Sequence, residues 1–183
     1  MPTLRDWEDY VDMEEQYDIE ETRKKVQHKK KSHNKQEWDK LETKVKKVNP
    51  INIKKVHSNT LKSVGLSRQK IQYLKNLSDA FINNEIKHNL WNKMSDEDVI
   101  QDLIQIKGIG RWTAEMFLIF NLCRADIFPL NDIGMIKGLC KLYNLDYPIN
   151  KDKLLKVSQK WKPYRSVATW YFWRSLDPIP VEY

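Results

Sequence analysis

The sequence predicts an all-α fold, and three observations predict it. From Trp38 onward, apolar residues recur three and four apart, the period of an amphipathic helix. No stretch alternates apolar and polar residues as a half-buried strand does, and no internal repeat is present. Several periodic stretches are preceded by a short polar side chain that can cap a helix, at Ser67, Ser95, Asp132 and Asn150.

The elements follow in order. Up to Glu21 there are nine acids and one base, Arg5; from Thr22 to Lys47 there are eleven bases and three acids. Residues 1–33 therefore read as a charged arm, solvated or without fixed structure, with a nucleic-acid tether as the alternative. Trp38, Leu41, Val45 and Val48 form a helical stripe that Pro50 ends. Short helices are predicted at Ile51–His57 and Thr60–Val64, the second stopped by Gly65. Ser67 caps the next helix, whose core face is Ile71, Leu74, Leu77, Phe81 and Ile82. Ser95-Asp-Glu-Asp98 has the form of a capping box and starts a helix leading to a glycine turn. A helix from Arg111 to Leu122 follows, then a loop, then a helix from Ile133 with apolar residues at 133, 136, 139, 140 and 143. Asn150 caps a helix to Trp161, and Pro163 opens a last one to Trp173. The tail 177–183 reads as extended. The domain organisation expected is an arm over 1–33, one helical domain over 34–176, compact or as a small pair of lobes sharing a cleft, and the tail.

Composition narrows the function. The 183 residues carry a net charge of +7 and a pI near 9.2, which suits a polyanionic partner. Seven tryptophans are many for this length; they are either core or the lining of a pocket for a planar ligand. Two cysteines, Cys123 and Cys140, exclude a disulfide framework and a four-cysteine zinc or iron–sulfur site, and read as core thiols in a reducing compartment. There is no apolar run near membrane-spanning length and no signal-peptide core. A soluble, intracellular, monomeric protein is expected, cytoplasmic and associated with the nucleoid, with no membrane partner.

Two features carry chemistry. Gly108-Ile109-Gly110 is a tight turn between two helical stretches. Glycine permits positive φ and close backbone approach, and Ile109 can plug the core. The first N–H groups of the helix that follows lack intrahelical partners and carry the positive end of its dipole, so a phosphate fits there. The plain alternative is an ordinary helix connection. The second feature is Asp132, the N-cap of the helix from Ile133, where a carboxylate is either only a cap or an acid held beside a phosphate-binding turn.

These residues resemble a known family. Leu103-x-x-Ile-x-Gly-Ile-Gly-x-Trp-Thr-Ala-x-Met116, followed by Asp126-Ile-Phe-Pro-Leu-Asn-Asp132, is similar to the helix-hairpin-helix DNA glycosylases, and most to their 3-methyladenine DNA glycosylase II branch. Val64-Gly-Leu-Ser-Arg-Gln-Lys-Ile-Gln-Tyr-Leu74 and Trp161-Lys-Pro-Tyr-Arg-Ser-Val-Ala-Thr-Trp-Tyr-Phe-Trp-Arg174 resemble the family's flanking segments. The likeness runs over about Trp38 to Leu176.

The resemblance implies base-excision repair of double-stranded DNA holding alkylated purines, by hydrolysis of the N-glycosidic bond after base flipping. A base alkylated at a ring nitrogen is already cationic and leaves readily, so one carboxylate can suffice to stabilise the sugar cation and orient or deprotonate water. Asp132 matches the family's catalytic Asp. Trp112 and Trp173 match its pocket tryptophans, whose faces attract a cationic base by about 0.5–2 kcal/mol each; core packing is the alternative for both. Met116 stands where another pocket aromatic is usual. Lys107, Gly108, Ile109, Gly110 and Arg111 would face DNA, with Arg68 and Lys70 as further phosphate partners; a solvated surface charge is the alternative for each of the four basic residues, and Arg165 is as readily a structural ion-pair partner. Related lyases have a lysine where Trp112 stands, so strand cleavage is not expected. No cofactor or metal is expected, beyond a monovalent cation that the hairpin carbonyls of such proteins can hold. The chain departs from the family at His28–Glu37, which offers no apolar side chain to fill the gap left by a flipped base; a degenerate or non-catalytic DNA-binding protein is the rival reading.

Overall fold

The computed structural model describes residues 33–45 and 47–176, with side chains from Asp39 on. The charged arm lies outside the described residues except for His33, and so do the wedge-lacking side chains upstream of Trp38 and the tail 177–183. The described residues are helical, with no strand among them: α1 His33–Val45, α2 Pro50–Lys55, α3 Ser58–Ser63, α4 Arg68–Ile82, a 3-10 turn His88–Lys93, α5 Asp96–Ile104, α6 Arg111–Phe120, α7 Ile133–Leu142, α8 Lys151–Ser158 with a 3-10 extension to Trp161, and α9 Arg165–Ser175. Among the described residues no helix is long and apolar enough to cross a membrane.

The chain divides into two compact units. One comprises the residues up to Ile86 together with Ile106–Gly108; the other comprises Lys87–Gln105 and the residues from Ile109 on. The hairpin stretch contributes to both, Ile106–Gly108 to the first unit and the residues from Ile109 to the second.

In the first unit, Leu41, Val45, Ile53, Leu61, Val64 and Ile71 form the core. Burying a side chain of this size is worth about 1.5–3 kcal/mol. Pro50 does more than end a stripe: Asn49 caps α2 and Pro50 is its first residue, where the missing N–H costs nothing. His57, predicted inside that helix, instead caps α3, its Nδ1 accepting from the Asn59 N–H at 3.2 Å. Gly65 closes α3 at φ 105°, and Ser67 caps α4 as predicted. The core face of α4 is narrower than the apolar stripe suggested: Ile71, Ser78 and Ala80 are buried and Ile82 is exposed. Its other faces hold the returning segment, because the Asn76 amide donates to the Lys107 carbonyl at 2.9 Å and the Tyr73 ring lies under Gly108.

In the second unit, α7 and α9 pack closely enough that a Cβ on Gly138 would stand 2.0 Å from the Phe172 carbonyl oxygen. The buried face of α7 is Met135, Gly138, Leu139 and Cys140. Ile133, predicted for the core, is 60% exposed. Phe128, Tyr143, Trp161 and Phe172 form an aromatic cluster with centroids 5.0–6.4 Å apart. Buried Asp102 accepts from the Trp91 indole, the Lys87 N–H and the Gln105 amide. Arg165 pairs with Asp126 at 2.6 Å, the structural one of the two roles open to it from sequence. The last helix begins two residues after Pro163, at Arg165, and runs to Ser175.

Candidate active site

Asp132 is the N-cap of α7, and its carboxylate is 8% exposed. Oδ1 accepts from the Met135 N–H at 2.6 Å, the ordinary capping bond, and from the Trp173 indole N–H at 2.9 Å. Oδ2 accepts from the Trp112 indole N–H at 2.7 Å. Every partner is an N–H donor, so both oxygens act as acceptors. A cap needs one of these bonds. The two indole bonds aim the carboxylate.

Three helices supply this group. Trp112 is the second residue of α6, Asp132 precedes α7, and Trp173 lies near the end of α9. Gly134 makes room: a Cβ there would meet Asp132 Oδ1 and Trp173 Cδ1, both at 3.3 Å. The Trp173 ring stacks on Phe120, centroids 5.8 Å apart and planes 20° from parallel. Trp112 is 49% exposed. Met116 lies one turn beyond Trp112 on the same face of α6 and is half-buried. Sequence reasoning expected the two tryptophans as faces for a flipped base. The structure shows their edges bonded to the acid, one face of Trp173 covered, and the Trp112 ring open.

The hairpin residues fall on both units. Lys107 is exposed, and Gly108 has φ 110°, with Tyr73 Cγ 2.2 Å from where its Cβ would be. Ile109, expected to plug the core, is half-buried; Ile106 is the buried one. Gly110 is the N-cap of α6 at φ −92° and offers no side-chain cap; a Cβ there would meet nothing within 4 Å. Sterically, folding therefore needs glycine at 108 and not at 110, where a Cβ would stand in open space. Arg68 and Lys70 are exposed at the start of α4.

Arg111 departs from expectation. Its Nη1 and Nη2 donate to Glu97 Oε1 and Oε2 at 2.9 and 2.7 Å, and its Nε to Glu115 Oε1 at 3.1 Å. The Arg111 hydrogen bonds hold the Glu97 carboxyl down at about 2. Burial pushes the Glu115 carboxyl up against the pull of Arg111, with the charges of Glu97 and Asp132 adding to the rise. Glu115 Oε2 is buried and has no hydrogen-bond partner among the described residues. Glu115, Phe120, Gly134 and Tyr73 were not singled out by sequence. Only Glu115 left a signal, the four-residue spacing from Arg111. At α5, Ser95 caps through the Asp98 N–H at 3.2 Å, but the Asp98 carboxylate bonds the Ser95 hydroxyl at 2.6 Å and not its N–H, so the reciprocal box is absent. No group of His, Cys, Asp or Glu among the described residues is arranged to hold a metal ion.

The chain is similar to known proteins over much of its length. Residues 27–163 match the family model described as HhH-GPD superfamily base excision DNA repair protein. DNA-3-methyladenine glycosylase 1 of Schizosaccharomyces pombe is 37% identical over 127 residues, 69% of this chain and 56% of that protein. A DNA-3-methyladenine glycosylase of Bacillus subtilis is 33% identical over 116 residues, 63% of this chain and 38% of that protein. The solved structure of the S. pombe 3-methyladenine DNA glycosylase Mag1 in complex with abasic DNA has a TM-score of 0.63 at 37% identity, covering 69% of this chain and 62% of that one. The chain spans about half the length of the curated relatives it matches. Trp173 lies beyond the residues matched to the family, yet its indole bonds the acid within them, so the constellation joins the matched and unmatched parts. The chain belongs to the HhH-GPD superfamily of base excision DNA repair proteins.

Proposed function

We propose that this protein is a monofunctional DNA glycosylase that removes alkylated purines of the 3-methyladenine type from double-stranded DNA. The observation that carries the proposal is the Asp132 carboxylate, buried at a helix start and held by N–H donors from three helices. A cap needs only the Met135 bond, and a non-catalytic DNA-binding protein would not need the two indole bonds. The names of the relatives, DNA-3-methyladenine glycosylases, support the substrate class. The relative solved with abasic DNA supports a reaction that leaves the sugar without its base.

In this reading the damaged nucleotide leaves the stack, at a cost of a few kcal/mol, and its sugar is brought against Asp132. The C1′–N bond breaks, and its electron pair leaves with the cationic base, which becomes neutral. Positive charge develops on the sugar, and a carboxylate already aimed by two indoles stabilises it without reorganising. Water then adds at C1′ and gives its proton to the carboxylate. The open Trp112 ring offers a face to the cationic base, with Met116 beside it on α6. No amine stands at position 112, so no Schiff base and no strand cleavage follow. Lys107, Gly108, Ile109 and Gly110 are the proposed contacts to DNA backbone. The reaction needs no resident cofactor. A monovalent cation at the hairpin remains part of the proposal for that stretch alone; the Lys107 carbonyl, bonded once by Asn76, has a lone pair to offer it. The protein would act on chromosomal DNA in the cytoplasm.

The test is release of 3-methyladenine from methylated duplex DNA by wild type and by Asp132→Asn. Asparagine caps helices as well as aspartate does, so the variant keeps the cap. It loses the charge, and its NH2 would face one of the indole donors. Release by wild type, reduced on the order of 10²–10⁴-fold in the variant while DNA binding persists, supports the proposal. No release by wild type that still binds DNA would sink it.

A further inference from the structure

We propose that Arg111 is a positioning residue for Trp112, and through it for Asp132, and not a contact to DNA phosphate; this rests on the glycosylase reading above. Arg111, Glu97 and Glu115 form a clamp between the first turn of α5 and the first two turns of α6. Both ends of the Arg111 fork sit on Glu97 and its Nε sits on Glu115. A phosphate could claim the guanidinium only by displacing charge-assisted bonds already made.

Helix stability does not explain the arrangement. A cation at the first residue of α6 opposes the helix dipole. An arginine four residues before a glutamate is the weaker order for such a pair. Glu115 keeps a carboxylate 7% exposed, with one oxygen unpartnered, and burying such a group costs free energy.

The clamp has a use at the site. Gly110 gives α6 no side-chain cap, so the first turn lacks the anchor that other helices of this unit take from Ser95, Asp132 and Asn150. Trp112 is the next residue after Arg111. Its ring is half-exposed, and its N–H must stay 2.7 Å from Asp132 Oδ2. Tying Arg111 to α5 and to the following turn of α6 fixes the backbone from which Trp112 projects.

Three variants, Arg111→Lys, Glu97→Gln and the charge-removing Arg111→Gln, separate this role from phosphate binding. Arg111→Lys keeps the charge but cannot make the fork. Glu97→Gln removes a carboxylate and leaves the arginine. The readouts are single-turnover base release at saturating DNA, the salt dependence of DNA binding, and the indole N–H resonance of Trp112, assigned with Trp112→Phe; thermal melts establish that each variant is folded. The expected result is a loss of turnover in Arg111→Lys and Glu97→Gln, on the order of 10²-fold, the scale of about a 1 Å misplacement. The salt slope stays unchanged, and the Trp112 resonance shifts. The proposal is overturned if Arg111→Lys behaves as wild type and Glu97→Gln binds DNA more tightly at unchanged turnover. It is also overturned if Arg111→Gln lowers the salt slope by about 0.9, one phosphate contact, with the Trp112 resonance unmoved. Absence of base release by wild type would sink the glycosylase reading; the indole resonance would still decide whether the clamp positions Trp112.

Discussion

Gly108 and Gly110 flank one isoleucine and are glycines for different reasons. At Gly108 the backbone is in a region that L side chains rarely adopt, and the Tyr73 ring occupies the space of a Cβ. Gly108→Ala should therefore cost about 2–5 kcal/mol, combining backbone strain with overpacking, read as a lowered urea midpoint. Gly110 has ordinary φ and open space around it, so Gly110→Ala should cost about 1 kcal/mol at most, as a weaker N-cap. Its DNA affinity should fall severalfold, because the new methyl stands where a phosphate must approach the α6 N–H groups. A Gly110→Ala protein binding DNA as wild type would remove the hairpin from the proposed interface. Both glycines are legible in the sequence as a motif, but their division of labour is not, since it depends on Tyr73, far away in the chain. Asp132 as a cap was legible for the opposite reason: capping is local, and Pro129 with the stripe after Ile133 placed it. That the tryptophans meet it edge-on was not legible, because sequence places a ring in a region without orienting it. The pairing of Arg111 with Glu97 and Glu115 was not legible for the same reason, since an arginine beside a phosphate-binding turn and an arginine bonded to two carboxylates look alike in one dimension.

Elements were easier to find than their faces. Helix starts at Ser67, Ser95, Asp132 and Asn150 lie where the polar side chains put them, because each cap answers orphan N–H groups within one turn. The α2–α3 region was misdivided because His57 can cap, and Pro50 reads equally as an end or a beginning. The apolar stripe on α7 pointed to 133, 136, 139, 140 and 143; Leu139 and Cys140 are buried as it suggests, but Ile133 is exposed and the packed face also takes in Met135 and Gly138. A count of apolar residues overlooks a glycine whose role is the absence of a side chain. Gly138 is what lets α7 approach α9, and so what lets Trp173 of α9 reach Asp132 at the head of α7. Gly138→Ala would drive a methyl into the Phe172 carbonyl, which belongs to backbone and cannot rotate away. It should cost at least about 3 kcal/mol and lower base release in whatever fraction stays folded. A variant with wild-type stability would mean that the two helices can separate without loss.

For the whole molecule, the charge that suits a polyanion leaves the acids outnumbered, and several of them hold the fold by pairing with arginine. Asp126 is the most consequential. Arg165 donates to both of its oxygens at 2.6 and 2.8 Å, tying the loop before α7 to the start of α9. Those bonds hold the Asp126 carboxyl below its ordinary value near 3.8. A carboxyl lowered by folding contributes stability above its unfolded value and loses it as pH falls through the folded one. Glu97 has the same sign, but half-exposed and screened by solvent it is worth well under about 1 kcal/mol. Glu115 has the opposite sign. Burial raises it, so the folded chain holds that proton more tightly than the unfolded chain, and its contribution declines as pH rises. Asp126→Asn keeps the shape and removes the charge. At pH 7 it should cost about 1–3 kcal/mol, the range for hydrogen bonds to charged groups. The gap between wild type and variant should persist down to about pH 4 and shrink below it as the wild-type carboxyl takes up its proton. Urea midpoints for both proteins at pH 7, 5 and 3 give the comparison directly. A gap that stayed constant across that range would mean that Asp126 stabilises by hydrogen-bond geometry alone, and that its charge adds nothing to the tie between the loop and α9.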